Sequence, residues 1–167
     1  EIKTISPSEA LEKVNNNKPI TFFEILTACY FYKAAQYPEN INLVEAGLFF
    51  RFDATNILKK NLATIITSIS KDHLDWLPKN DQTIEKIVFE KTSNLLNSNI
   101  IVAKQNQNTM NYIKRNISKN QSNKIFFNED FSFTNGENGY FYYEDKFGGL
   151  KLPEPNVLGL YQLENIS

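Results

Sequence analysis

Leu62-Ala63-Thr64-Ile65-Ile66-Thr67-Ser68 is an apolar run without polar alternation. Such a run predicts a strand buried on both faces, the kind that a parallel sheet uses. Ile41-Asn42-Leu43-Val44-Glu45-Ala46, broken by Gly47, predicts a second strand of this type, and residues 99–103 predict a third. The expectation is a parallel sheet covered on both faces.

Helical patterns separate these strands. Thr21-Phe22-Phe23-Glu24 is a capping box and predicts a mostly apolar helix to about Gln36, stopped before Pro38. A helix this apolar is expected to be buried, with Cys29 as a small hydrophobe on it. Ser6-Pro7-Ser8-Glu9 predicts an earlier short helix to about Val14, ended by Asn15-Asn16-Asn17-Lys18-Pro19. Residues 83–96 carry Ile84, Ile87, Val88, Leu95 and Leu96 at helical spacing; residues 107–117 place Met110, Ile113 and Ile117 on one side. From about Asn120 the texture changes. Short strands are predicted at 125–127, 131–133, 140–143 and 150–152, with a hairpin turn at Asn135-Gly136-Glu137-Asn138-Gly139. The order helix, strand, strand, helix, strand, helix and β-meander predicts an α/β fold.

Composition bounds the function. The 167 residues are 41% hydrophobic and 22% charged, the balance of an ordinary globular domain. A formal charge of −1 gives no basic field to hold a polyanion, so no nucleic-acid partner is expected. The single Cys excludes an intrachain disulfide, and a reducing, cytoplasmic setting is expected. The most apolar stretch, residues 20–35, is interrupted by Thr21, Glu24, Thr27 and Lys33, so no membrane partner is expected. No signal-peptide pattern follows Glu1. Neither G-x-x-x-x-G-K-[ST] nor G-x-G-x-x-G occurs.

Glu45 is placed at the carboxyl end of the first predicted strand, and His73 follows the carboxyl end of the second. Ligands of open α/β sheets bind at such ends. A carboxylate and an imidazole can complete the shell of a divalent ion that also holds phosphate oxygens and waters. Equally, Glu45 can cap a helix and His73 can be a solvated loop residue. Asp53-Ala54-Thr55-Asn56 is a polar turn whose side chains either cap the next segment or meet a polar heterocycle. Lys91, after Glu90 in a helix, reads as solvated, and Trp76 as a core or rim aromatic. With one His, no catalytic triad can be assigned.

Several strings, taken together, resemble a known family. Glu45-Ala46-Gly47-Leu48-Phe49-Phe50-Arg51-Phe52-Asp53-Ala54-Thr55-Asn56 resembles the E-x-G-L-G-G-R-x-D-A-T-N signature of folylpolyglutamate synthase and dihydrofolate synthase, in the Mur ligase superfamily. Thr67-Ser68-Ile69-Ser70-Lys71-Asp72-His73-Leu74-Asp75-Trp76-Leu77 resembles that family's T-S-I-x-x-D-H-x-D-W-L. Ile84-Glu85-Lys86-Ile87-Val88-Phe89-Glu90-Lys91 resembles its I-E-x-I-A-x-E-K. Thr21-Phe22-Phe23-Glu24, with Leu26-Thr27-Ala28, resembles T-F-F-E-x-L-T-A, and Gly159-Leu160-Tyr161-Gln162-Leu163-Glu164-Asn165 resembles G-x-H-Q-x-x-N.

The resemblance implies an ATP-dependent ligase of folate biosynthesis and one-carbon metabolism that adds L-glutamate to dihydropteroate or reduced folate through an acyl phosphate. It implies Glu45 and His73 as Mg2+ ligands, Lys91 as a carbamylated lysine, and Asn165 as the adenine contact. It implies Thr21, Phe23, Asp53 and Ala54 as a pterin pocket. The fold it implies is a Mur ligase-type ATP-binding domain, a largely parallel sheet flanked by helices with a small β-meander near the C-terminus. Residues 1–167 are expected to be a partial domain: the family's G-T-N-G-K-G-S loop would precede Glu1 and its glutamate-binding domain would follow Ser167. The chain by itself is expected to be inactive, as a fragment, a non-catalytic relic or pterin- or nucleotide-binding module, or one piece of a split enzyme completed by other chains. Phe49-Phe50 stand where the signature has Gly-Gly, and are expected to obstruct a close backbone approach or to force an unfavourable φ.

Overall fold

The structure, a computed structural model, describes residues 20–156 and Gln162. The expected first helix and, apart from Gln162, the string ending at Asn165 lie outside the described residues. The chain divides into two compact units, Glu1–Ile57 and Leu58–Ser167.

The first unit carries helix α1, Phe22–Ala34. Its capping box forms as predicted: the Glu24 amide donates to Thr21 Oγ1 at 3.3 Å, and the Thr21 amide donates to Glu24 Oε2 at 2.7 Å. The expected burial does not follow. Thr27 is the one buried residue of α1, while Phe22 is 74% exposed and Cys29 is exposed too. The apolar residues run round the whole circumference, so no single stripe can turn them all inward. The strand expected over residues 41–46 is absent as well, and Leu43 is 90% exposed. Apolar content does not make a strand without a neighbour to complete the hydrogen-bond ladder. Here Asn42 instead accepts a hydrogen bond from the Tyr30 hydroxyl of α1 at 2.8 Å.

The second unit is a β-α-β-α-β run. Strand β1 (Ala63–Ile66), helix α2 (Ile84–Thr92), strand β2 (Asn99–Val102), helix α3 (Gln107–Ile117) and strand β3 (Asn123–Phe126) follow in order. The three strands are parallel, in the spatial order β1-β2-β3. Both crossovers step the same way, so right-handed connections put both helices on one face, where they pack on each other. Thr83 caps α2 and Asn106 caps α3. Helix α2 stops short of Leu95 and Leu96: Ser93 is its C-cap, and the Thr92 hydroxyl turns back to the Val88 carbonyl.

Register decides the core. Ile66, Val102 and Phe126 align across the sheet and face the helices, where Ile87, Val88, Ile113 and Ile117 are sealed from solvent. Ile65, Ile101 and Ile125 align on the opposite face. That face is not fully covered, since Ile65 is 57% exposed, so the expected double-sided cover is seen on one side only.

A separate antiparallel sheet follows: β4 (Phe131–Asn135), β5 (Tyr140–Asp145) and β6 (Gly148–Pro153). The predicted hairpin turn is present, with Asn138 and Gly139 at positive φ. The strand expected at 125–127 belongs to the parallel sheet and not to this meander. Trp76 lies in a 3-10 turn, 71% exposed and not in a core.

Candidate functional site

Residues 47–56 form a tight polar loop in the first unit. The Gly47 amide donates to Asp53 Oδ2 at 3.0 Å. Asp53 Oδ1 accepts from the Thr55 amide at 2.9 Å and from the Thr55 hydroxyl at 2.5 Å. Asn56 donates to the carbonyls of Phe50 and Arg51. The loop-forming reading of Asp-Ala-Thr-Asn is therefore realised, with Thr55 buried beneath it. A carboxylate accepts about four hydrogen bonds, so Asp53 keeps capacity toward a ligand.

Phe23 of α1 reaches the same loop. A Cβ on Gly47 would lie 2.9 Å from Asp53 Oδ2 and 3.2 Å from two atoms of the Phe23 ring. Gly47 thus permits the close approach of Phe23 and Asp53. Phe23 is 44% exposed, which leaves its ring accessible for stacking. Thr21 stands at the N-cap two residues before Phe23, and Ala54 follows Asp53 half-buried in the turn. Of the four residues expected to bind pterin, the structure brings Phe23 and Asp53 to one place. Phe49 and Phe50 are half-buried on ordinary backbone, because the non-glycine residues at positive φ among those described are His73, Asn128 and Asn138. The expected φ strain at the two phenylalanines is not there.

Glu45 lies in the first unit, exposed, and not at the end of a strand. His73 lies in the second unit, in the loop after β1, with φ of 54° in the left-handed region. A non-glycine residue there is uncommon, although His adopts it more readily than most side chains do. Its amide donates to Asp72 Oδ1 at 2.8 Å, and its Nε2 lies 3.1 Å from Asp72 Oδ2. A carboxylate on one ring nitrogen orients an imidazole, the arrangement that supports metal-binding histidines. Among the described residues no group of three or more His, Cys, Asp and Glu gathers at one point. Mg2+ does not need one, because it keeps several waters, shares phosphate oxygens and takes only one or two carboxylates from the protein; of the two expected ligands, the Glu45 carboxylate is the harder donor that suits it.

Lys91 lies in the last turn of α2 and is half-buried. Beside it Glu90 is buried, with Lys86 Nζ at 3.3 Å from its Oε1. Asn165 lies outside the described residues.

One residue escaped the sequence reading. Gln105 accepts from the Ile69 amide at 2.9 Å and donates to the Thr67 carbonyl at 2.9 Å. It clamps the loop after β1 to the loop after β2. Beside the clamp is a cleft of about 410 Å³ lined by Ser70, Lys71, Asn106 and the first turn of α3. Nothing in the local pattern singles out Gln105, since its partners are 36 and 38 residues away.

No family model matches the chain. Among characterised proteins, the chain is 43% identical over 84 residues to the dihydrofolate synthase/folylpolyglutamate synthase of Bacillus subtilis, a match covering 50% of this chain and 18% of that protein. Among solved structures, the apo form of L. casei FPGS superposes with a TM-score of 0.79 at 23% identity, over 95% of this chain and 39% of that one. E. coli FolC in complex with DHPP and ADP superposes with a TM-score of 0.70 at 27% identity, over 91% of this chain and 36% of that one. The chain therefore spans well under half the length of the proteins it matches. Sequence likeness and fold likeness point to the same kind of protein, and the fold is that of the corresponding part of L. casei FPGS.

Proposed function

We propose that this chain, a relative of the dihydrofolate synthase/folylpolyglutamate synthases by sequence and by fold, is part of an ATP-dependent ligase that joins L-glutamate to dihydropteroate or reduced folate. The observation that carries the reading is the 43% identity over 84 residues to an enzyme of that name. The complex of a structural relative with DHPP and ADP supports a pterin and a nucleotide as its ligands.

The chemistry is assigned residue by residue. Phe23 stacks on the pterin ring, and the remaining lone-pair capacity of Asp53 accepts a pterin N–H. Thr21 and Ala54 complete that pocket. Glu45 and His73 would each offer a donor to Mg2+, which when bound would neutralise phosphate charge. Asp72 orients the His73 ring. The neutral Lys91 amine would add to carbon dioxide and lose a proton, and the carbamate so formed would present an anionic acceptor in place of a cation. Asn165 contacts adenine. ATP phosphorylates the acceptor's carboxylate, and the glutamate amine displaces phosphate to form the amide. Residues 1–167 form part of the ATP-binding domain.

The test is glutamate-dependent release of phosphate from ATP by the whole gene product, with dihydropteroate and with reduced folate as acceptors. Glutamate addition to either acceptor supports the reading. Absence of addition to both, in a protein that melts cooperatively, overturns it in favour of a non-catalytic pterin- or nucleotide-binding module.

A further inference from the structure

The loop between β1 and α2 carries His73 on an exposed crown between two fixed ends. Ser70, Lys71 and Asp72 are exposed, whereas Ile69 before His73 and Leu77 after it are buried. Each end is also tied by a glutamine, and both glutamines are half-buried. Gln105 accepts from the Ile69 amide and donates to the Thr67 carbonyl, each at 2.9 Å. Gln82 Nε2 donates to the Leu74 carbonyl at 3.0 Å and to the Leu77 carbonyl at 3.2 Å.

The chemistry of the two ends differs. Strand β1 stops at Ile66, and the Thr67 carbonyl and Ile69 amide beyond it are the groups through which a parallel neighbour would continue the ladder. The primary amide of Gln105 offers a donor and an acceptor together and takes both. A side chain without those atoms would leave the two backbone groups short of partners. At the other end Gln82 braces a 3-10 turn in which the Trp76 amide donates to the His73 carbonyl at 3.1 Å and the Leu77 amide to the Leu74 carbonyl at 3.0 Å. Burial of Ile69 and Leu77 is non-directional, so it anchors the ends without setting the path between them. Hydrogen bonds are directional and do set it. His73 lies on that path with φ of 54°. A left-handed residue bearing a Cβ costs conformational energy and persists where the surrounding structure over-determines it.

We propose that Gln105 and Gln82 are positioning residues, which hold His73 in its left-handed conformation and so fix where its imidazole is presented at the carboxyl end of β1. The metal-donor role of that imidazole rests on the ligase reading above; the hold on its backbone does not.

The experiment is nuclear magnetic resonance on the whole chain, which has one histidine and therefore one set of imidazole signals. A strong cross-peak between the amide proton and Hα of one residue marks positive φ. Gln105→Met and Gln82→Met remove the hydrogen bonds at similar side-chain length. Each should weaken that cross-peak at His73 and shift the ring resonances. Gln105→Glu keeps an acceptor for the Ile69 amide and should retain more of the cross-peak than Gln105→Met. Ile87→Val, a core truncation on α2, should lower Tm and leave both His73 signals in place, which separates positioning from general stability. In the whole gene product, Gln105→Met should raise the Mg2+ concentration for half-maximal ligation about tenfold and leave KM for the pterin acceptor unchanged. His73 signals that stay in place in both methionine variants overturn the proposal, whatever the enzyme does. Signals that move, in a parent that ligates nothing, support the hold and count against the ligase reading alone. Signals that move while the Mg2+ dependence of ligation does not overturn the link between the hold and the metal.

Discussion

The backbone amide of Gly47 donates to the carboxylate of Asp53 at 3.0 Å, and the same carboxylate holds Thr55 by two further hydrogen bonds. One side chain thus closes a loop that the sequence would otherwise leave open, and it does so where the Phe23 ring occupies the space that a Cβ on Gly47 would need.

Gly47→Ala should destabilise this loop sterically. Its Cβ would sit 2.9 Å from Asp53 Oδ2 and 3.2 Å from the Phe23 ring. Overpacking of this kind costs about 1–3 kcal/mol. Chemical denaturation of the variant against the parent measures it, and an unchanged midpoint would show that the carboxylate and ring move aside freely.

Asp53→Asn replaces one acceptor oxygen with a donor. It should break the contact with Gly47 or the pair with Thr55, at a cost of about 1–3 kcal/mol for the group left unpaired. Amide hydrogen exchange reads it directly. Gly47 and Thr55 should exchange faster while the amides of β2 stay protected.

Acid should loosen the start of α1. The Glu24 carboxyl is held below its ordinary range, first by the Thr21 amide and then by the Thr21 hydroxyl. A depressed folded-state pKa means stability that is complete above the ordinary glutamate value and lost as pH falls through the lower, folded one. The Thr21 amide resonance should follow that titration. In Glu24→Gln this acid-side transition should vanish, and its persistence would assign it to another group.

Alkali acts on the second sheet. Burial, and then the hydrogen bond to Asp145, raise the Tyr143 hydroxyl above its ordinary value. Stability from the neutral phenol is complete below the ordinary tyrosine value and is lost as pH rises through the higher, folded one. Tyr143→Phe should flatten the alkaline limb of a pH–stability curve, and an unaltered limb would count against the assignment.

Two isoleucines on neighbouring strands should respond very differently to truncation. Ile100 of β2 is fully buried under α2 and α3, and Ile65 of β1 points to the other face, 57% exposed. Ile100→Ala should cost about 2–5 kcal/mol, the range for a large buried aliphatic residue. Ile65→Ala should cost a fraction of that in the isolated chain. Equal losses would mean that the second face is covered in solution.

Much of the second unit was legible because its signals are local. Met110, Ile113 and Ile117 on one side of residues 107–117 and Asn138-Gly139 in a turn each name their element without outside help. Residues 41–46 are as apolar a run as β1 is, yet among the described residues β1 pairs with a strand and 41–46 do not. The chemistry of the loop was half legible. Asp53-Ala54-Thr55-Asn56 announces a turn, but which donors its carboxylate takes depends on how residues 47–56 close on themselves.

The sequence by itself determined the Thr21 cap, the turn and two of the three parallel strands, since these follow from side-chain periodicity and from hydrogen bonds spanning a few residues. It determined the family likeness as well, because that rests on the order of residue types. Only the tertiary structure decided which face of the sheet is sealed, that 125–127 joins the parallel sheet, and that Gln105 ties two strand ends across 36 residues. It alone brought Phe23 against Gly47 and left the Thr109 hydroxyl buried without a partner. These depend on distances between residues far apart in the chain, set by how closely packed elements exclude or admit one another.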